Sequence, residues 1–498
     1  MHSILYKFSI LFMLLAILLP FTSKCIKTDT TIRYSMINLP KDLDPSNNYS
    51  QDIIQILSPI YETLFILDND YKSIRPNLAR KYDVSPDGFK YTISLYPNIT
   101  FSNGESLTSN IVAECLKKRL FKSELSHFIQ LDTIQINDYS SFTIKLKKPF
   151  APFLYFLASP YGVLINEPSK LKGEFIGTGP FVPESIKENK IILKKNKRYW
   201  KGNQGPVQYV NFILSNSYTE MDSAIEKSDT DIVYTIAGYL LDRLKWLNEA
   251  NYYTQKSTST IFLGFNNKSG LFRKREMRRA ILRAINIPKF VYNINRGNAI
   301  VAKRPVPPIL LPFTSHVQEE FNLTTSKELL SDSGIDTTLF LNYYVPRHAG
   351  TRETIFKSIQ YFLIKVNIEI KATYFHTWVE HDSACKSKNS QLFQNGWQDD
   401  FIGDPWHFLY SMFYSKSSNN VLNYENPDVD RWLDQAITEL DDTKRYKLYE
   451  KVVNQIIEDT PAVFLYHVIP HFAYNHHKIK KMIVNPYNIV QYHKLELY

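Results

Sequence analysis

Cysteine is nearly absent from this chain: 498 residues contain three, at Cys25, Cys115 and Cys385. That excludes a disulfide-stapled scaffold and any paired Cys-x-x-Cys motif, and a bond between Cys115 and Cys385 would need the fold to bring them together. Glycine is scarce as well, with 16 residues, and none of them flanks a nucleophilic serine or builds a phosphate-cradling loop. No zincin helix occurs either, and these absences together argue against an enzyme. Beyond residue 21 no stretch approaches the roughly 20 apolar residues that a membrane span needs. A basic stripe is also missing. The net charge of +10 is spread among acids, apart from short clusters such as Lys194-Lys195-Asn196-Lys197-Arg198, so nucleic acid is not expected as a partner.

What is present is a globular, aromatic composition. Hydrophobic residues make up 44% and charged residues 22%, and 33 Tyr with 31 Phe supply material for both cores and binding surfaces. The length is sufficient for roughly three domains. Phe8 to Phe21 is uncharged and reads as a signal-peptide core, so residues 1–24 are expected to be removed on export. Cys25 follows where a bacterial lipoprotein carries its acylated cysteine. Lys24 replaces the small residue usual there, so acylation and simple cleavage both stay open.

Strands and helices mix without a repeat period. Ser106–Leu120 has the spacing of a capped helix, Arg275–Ile287 that of a basic amphipathic helix ended by Pro288, and Asp428–Asp459 returns to helical periodicity. Tyr91–Leu95, Phe142–Leu146 and Ala462–Tyr466 read as strands, Pro86-Asp-Gly88 as a turn, and Ile300–Pro312 as a proline-rich wrapping connection. This order implies an α/β protein of several lobes.

One segment concentrates chemistry: Asn395-Gly-Trp-Gln-Asp-Asp-Phe-Ile-Gly-Asp-Pro-Trp-His-Phe-Leu409. Gly396 permits close backbone approach, Trp397 and Trp406 offer flat apolar walls, and Asp399, Asp400 and Asp404 can accept from an ammonium group. The set suits a peptide N-terminus; an acidic loop beside two core tryptophans is the alternative. Asp399 and Asp400 could also serve as a peptidase carboxylate pair, although adjacent residues of an extended segment point apart. His467, His471, His476 and His477 cluster in sequence, but a strand pattern and Pro470 separate them, so no metal site is assigned.

Several blocks recur in a familiar order: Leu43-Asp-Pro45, Tyr61-Glu-Thr-Leu64, Phe101-Ser-Asn-Gly104, Gly177-Thr-Gly-Pro-Phe181, Asn196–Gly202, Met277-Arg-Arg-Ala-Ile281, Gly396-Trp397, Asp404-Pro405 and Tyr424-Glu-Asn-Pro427. Through them the chain resembles, nearly end to end, the periplasmic dipeptide- and oligopeptide-binding proteins of ABC importers, solute-binding protein family 5. The resemblance implies an α/β, two-lobed periplasmic binding protein fold of type II, in the peptide-binding cluster. Its three domains would be a discontinuous domain I (25–62, 171–266 and 470–498), an inserted domain II (63–170) and domain III (267–469). It implies a monomeric receptor without catalysis or cofactor, which takes a short peptide in the periplasm and meets the membrane only through an inner-membrane ABC permease or a lipid on Cys25. Cell-wall peptide, haem and nickel complexes are other cargoes of the family.

The resemblance also assigns residues. Asp400 takes the position of the ammonium-binding aspartate, with Asp399 beside it. Asn395, Gly396 and Trp397 supply backbone bonds and a wall. Trp378 matches a pocket tryptophan, while His348 and Arg347 fall where some members hold the ligand carboxylate. Two departures stand out. Asp404-Pro405 lies one residue farther from Trp397 than in typical members, and Gln394 replaces an arginine that some members carry. Tyr96, Asn110 and Asn286 replace arginine, aspartate and aspartate.

Overall fold

The computed structural model describes every residue except 1–28, 46–50, 123–127, 167–173, 203–204, 236–250, 313–314, 336, 347–351 and 399–402. Cys25, Arg347, His348, Asp399 and Asp400 lie outside the described residues.

Two mixed sheets organise the chain. The first has seven strands, in the order Asn251–Thr254, His471–Tyr474, Ile232–Thr235, Thr31–Met36, Tyr209–Leu214, Lys190–Lys195 and Phe181–Lys187. The second has six, in the order Ala299–Val301, Ala462–Val468, Ser259–Phe265, Leu392–Gln398, Leu339–Pro346 and Ile368–Phe375. Ala462–Val468 is buried along its whole length, as its unbroken apolar run requires of a strand covered on both faces. A four-stranded antiparallel sheet spanning Ala79 to Leu146 is inserted between strands of the first sheet. There Ser141–Leu146 alternates half-buried with buried positions, the period-2 pattern of a sheet with one covered face.

The chain passes between the two large sheets twice, at 255–258 and at 469–470. Gln255 N–H donates to the Pro470 carbonyl at 3.0 Å, so the two crossings run side by side. The change of sheet therefore precedes Ser259, not residue 266: Ser259–Phe265 forms ladders with Leu392–Gln398 and Ala462–Val468. Hydrogen-bond partners decide where a strand belongs, and its own residues do not name them.

Histidines flank the second crossing. His471 Nδ1 lies 2.9 Å from Thr254 Oγ1, and His467 Nδ1 lies 2.9 Å from Thr260 Oγ1. Thr260 donates its own proton to the Pro305 carbonyl at 2.7 Å, which leaves its oxygen to accept from His467 Nδ1–H. Burial, with Arg304 adding repulsion, pushes the His467 pKa from 6.5 down to about 3. The unfolded chain takes up this proton at higher pH than the folded protein does. Stability therefore falls as pH drops from 6.5 toward 3, by up to about 1.4 kcal/mol per pH unit for this one group. His467→Asn, which retains a donor for Thr260, is expected to make the pH dependence of the urea midpoint shallower in that window. An unchanged slope would remove His467 from the account.

Two local expectations need revision. Pro288 does not stop a helix: Arg275–Ala284 ends before it, and Pro288 sits in the first turn of Ile287–Asn295, where a missing N–H costs nothing. Asn286 caps that second helix by accepting from Lys289 N–H at 3.0 Å, a role in which asparagine and aspartate are equivalent. The glycines of Gly177-Thr-Gly179 do more than turn. A Cβ at Gly177 would lie 2.0 Å from the Ile60 carbonyl oxygen, and one at Gly179 2.4 Å from that of Pro59, so only glycine lets these backbones meet. Cys115 and Cys385 are both buried and form no disulfide. Among the described residues no helix is long and apolar enough to cross a membrane.

Candidate functional site

Leu392–Gln398 is an inner strand of the six-stranded sheet, in register with Ser259–Phe265 so that Phe262 faces Asn395, Ile261 faces Gly396 and Thr260 faces Trp397. A Cβ at Gly396 would stand 2.6 Å from Ile261 Cδ1, so the missing side chain keeps the strand's surface low at this point. Beside it runs the helix Trp378–Lys386. A capping box starts this helix: Thr377 Oγ1 accepts from Glu380 N–H at 3.2 Å, and Glu380 Oε2 accepts from Thr377 N–H at 3.1 Å. The cap fixes the first turn and with it Trp378, which remains 44% exposed.

Between strand and helix lies a cavity of about 160 Å3. Trp378, Asn395, Gly396 and Trp397 all line it, over a floor of Phe262 and Met412. The structure thus brings together four of the residues singled out from the sequence. It adds Asp382, one helical turn beyond Trp378 and on the same face. Asn395 Nδ2 donates to Asp382 Oδ1 at 3.1 Å, while Asn395 Oδ1 accepts from Gly396 N–H at 2.7 Å. The Asp382 side chain is 42% exposed, leaving carboxylate lone pairs to face the cavity. The Trp397 indole N–H is buried and has no hydrogen-bond partner among the described residues.

A guanidinium packs on the Trp378 ring. Arg352 lies with Cζ 5.2 Å from the centre of the Trp378 ring. The Gln394 amide, with its oxygen turned to the guanidinium, accepts from Arg352 Nη1 at 3.1 Å and donates to the Arg352 carbonyl at 3.3 Å. Arg352 is buried, and no carboxylate among the described residues pairs with it. Burial lowers its pKa, and only the hydroxyls of Tyr466, Tyr343 and Tyr218 act against that. The Tyr343 hydroxyl is itself buried without a partner among the described residues. Tyr218 belongs to the helix Tyr218–Glu226, which packs on the seven-stranded sheet, so Arg352 lies where the two large lobes face each other. Position 394 lacks a guanidinium of its own, and Arg352 presents one against it.

Asp404 is a correction. It is only 1% exposed, and its carboxylate is fully engaged: Oδ1 accepts from Trp406 N–H at 2.9 Å and from the Tyr449 hydroxyl at 2.6 Å, and Oδ2 from Arg445 Nε at 2.9 Å. It precedes the helix Trp406–Phe413 and neutralises a buried arginine, so its charge is used within the fold. Trp406 is likewise core, edge-on to Phe128 at 4.8 Å and stacked on Tyr410 at 4.8 Å. Asp404 points inward just before the helix that packs behind the strand.

The sequence could have indicated Asp382 by its i, i+4 spacing from Trp378. Arg352 carried a subtler signal: it opens the helix Arg352–Leu363, where the macrodipole disfavours a cation. Among the described residues no three His, Cys, Asp or Glu gather as a metal site.

The model of the bacterial extracellular solute-binding proteins, family 5 Middle, matches residues 73–420 of this chain. A protein of Escherichia coli K12 named as a probable D,D-dipeptide-binding periplasmic protein is 24% identical over 468 residues, covering 90% of each chain. Among solved structures, an ABC transporter substrate-binding protein of Listeria monocytogenes superposes with a TM-score of 0.85 at 19% identity, over 95% of this chain and 100% of the other. An ABC transporter-associated periplasmic binding protein of Helicobacter pylori, in complex with the peptide STSA, gives 0.79 at 21% identity, over 94% and 98%. At these identities the structures establish a shared fold.

Proposed function

Because the chain belongs to the bacterial extracellular solute-binding proteins of family 5, we propose that it is a non-enzymatic receptor for short peptides, which it delivers to an ABC permease. The observation that carries this reading is that opposite charges gather at one tryptophan. Asp382 shares the cavity lining with Trp378, and the buried Arg352, with no carboxylate partner among the described residues, packs on the Trp378 ring. A peptide is a dipolar ion with an amine at one end and a carboxylate at the other, and Trp397 and Trp378 provide apolar walls between such ends. Enclosure between the lobes would exclude water and strengthen each of these contacts. Asp400, with Asp399, completes the amine end in this proposal, and Arg347 and His348 stand near Arg352 in sequence at the carboxylate end.

The proposed division into three domains follows the sheets: a discontinuous first domain on the seven-stranded sheet, the inserted four-stranded unit, and a third domain on the six-stranded sheet. Export as a monomer, with Cys25 as a site of acylation, belongs to the same proposal.

Protein purified under native conditions and then denatured is expected to release short peptides, identified by mass spectrometry. Recovery of haem or a metal complex alone would replace the peptide reading. Incubation with a peptide mixture should return the peptides intact. Cleavage products that vanish in Asp400→Asn would make the protein a peptidase.

A further inference from the structure

A second cavity is larger than the one beside Trp397. It measures about 580 Å3, within the range of small-molecule sites. Its walls come from segments 58–77, 158–163, 199–201 and 483–494, with Tyr96 and Pro180. No residue from 257 to 469 contributes, and none is shared with the smaller cavity. This pocket is therefore complete within one lobe and does not wait for the lobes to close.

Its charge is unequal. Glu62 is buried, and its carboxylate is already taken by the Tyr199 hydroxyl at 3.0 Å, the Trp200 indole N–H at 2.7 Å and Lys201 Nζ at 3.0 Å. Asp68 is bonded to Arg75. His493 stays neutral, since burial, with Lys494 and Lys201, pushes its pKa down to about 3. Against two occupied carboxylates the lining carries three cations, Arg75, Lys201 and Lys494. Lys494, exposed at the rim, has no ion pair among the described residues. Burial of its ammonium lowers its pKa, and the positive charges of Arg75 and Lys201 lower it further. An anion placed there would relieve this repulsion. Aromatic rings form part of the remaining wall: Tyr96 and Trp200 lie 5.7 Å apart with their rings tilted by 39°, Tyr199 stands edge-on to Trp200 at 6.4 Å, and Lys201 Nζ sits 4.6 Å over the Trp200 ring. An inorganic anion would leave most of this volume unfilled, whereas a planar body with an acidic head would fill it and reach the aromatic wall.

We propose that this cavity is a second ligand site, specific for a small aromatic carboxylate, whose acid group meets Lys494 and whose ring lies against Trp200 and Tyr96.

Calorimetry on the full chain, with indole-3-acetate as probe and indole-3-acetamide as its neutral control, tests the proposal. Saturable one-to-one binding of the acid is expected, with Kd below about 1 mM and the amide weaker by about tenfold or more. Lys494→Ala, at an exposed position, should lower affinity by about tenfold, and Lys494→Arg should restore it. Arg352→Met, which removes a guanidinium that does not line this cavity, should leave it unchanged. The proposal is overturned if the acid shows no saturable binding, if acid and amide bind alike, or if Lys494→Ala has no effect. Loss of binding in Arg352→Met would likewise overturn it, since the probe would then occupy the cleft between the lobes.

Discussion

Arg352→Met is expected to weaken peptide binding by about 30-fold or more, because truncating one partner of a buried, hydrogen-bonded charge pair costs about 2–5 kcal/mol. The same substitution is expected to leave the ligand-free protein as stable as before, or more so. A guanidinium that is buried, has its pKa lowered by that burial and, among the described residues, meets the Trp378 ring, tyrosine hydroxyls and an amide lacks a counter-charge until a ligand arrives. Replacing such a charge with an apolar side chain of similar length removes a desolvation penalty. Binding and stability should therefore move in opposite directions, which a residue needed only for packing would not do. Thermal melts with and without peptide, paired with calorimetry, measure both. Arg352→Lys keeps the charge but not the planar fork, and intermediate affinity is expected. If Arg352→Met binds peptide as the wild type does, the carboxylate is held elsewhere and Arg352 leaves the site.

Asp404→Asn is expected to do the reverse, destabilising the fold by about 3–5 kcal/mol while leaving peptide affinity intact wherever the variant is folded. Arg445 is buried beside Asp404. Burial alone would lower its pKa, but the charge of Asp404, with Tyr449 and Asp442, outweighs this and holds it above the ordinary value. Removing the Asp404 charge leaves Arg445 with Asp442 at 2.6 Å, whose side chain is 77% exposed, and the Glu439 carbonyl at 3.0 Å. A water-screened partner compensates poorly for a buried one. The Tyr449 hydroxyl, donating at 2.6 Å in a fully buried setting, loses its charged acceptor as well. The urea midpoint reports the destabilisation, and calorimetry below the transition reports affinity. A variant that folds normally but no longer binds peptide would return Asp404 to the ligand.

The two experiments separate acids and bases that look alike in sequence. Asp399, Asp400 and Asp404 lie within six residues, next to two tryptophans, and all three are suitable acceptors for an ammonium group. What distinguishes Asp404 is the arginine and tyrosine of a helix some 40 residues later, which no local pattern connects to it. Trp397 and Trp406 likewise differ only in packing: the first lines a cavity with its indole N–H unused, and the second is enclosed by Phe128, Phe150 and Tyr410. The reverse holds for Arg352. Nothing around it marks a binding residue except a cation at the wrong end of a helix dipole, and it becomes meaningful once Gln394 and Trp378 are placed against it.

Short-range physics made much of the molecule legible from residue order. The strands at Lys90–Leu95, Ser141–Leu146 and Ala462–Val468 follow from period-2 or unbroken apolar patterns, and the helix Asp442–Asp459 from a 3.6 period. The α/β class came from the same source, because alternation and capping act between near neighbours, whereas the family was legible only through the resemblance of ordered sequence blocks. Tertiary structure alone decided which sheet the strand Ser259–Phe265 joins, that Pro288 opens a helix, that Asp404 is consumed internally, and that a buried arginine from upstream packs against Gln394 and Trp378. Those outcomes depend on burial and on partners distant in sequence. The worth of a charge is set by the dielectric and counter-charge around it, and both exist only after the chain has folded.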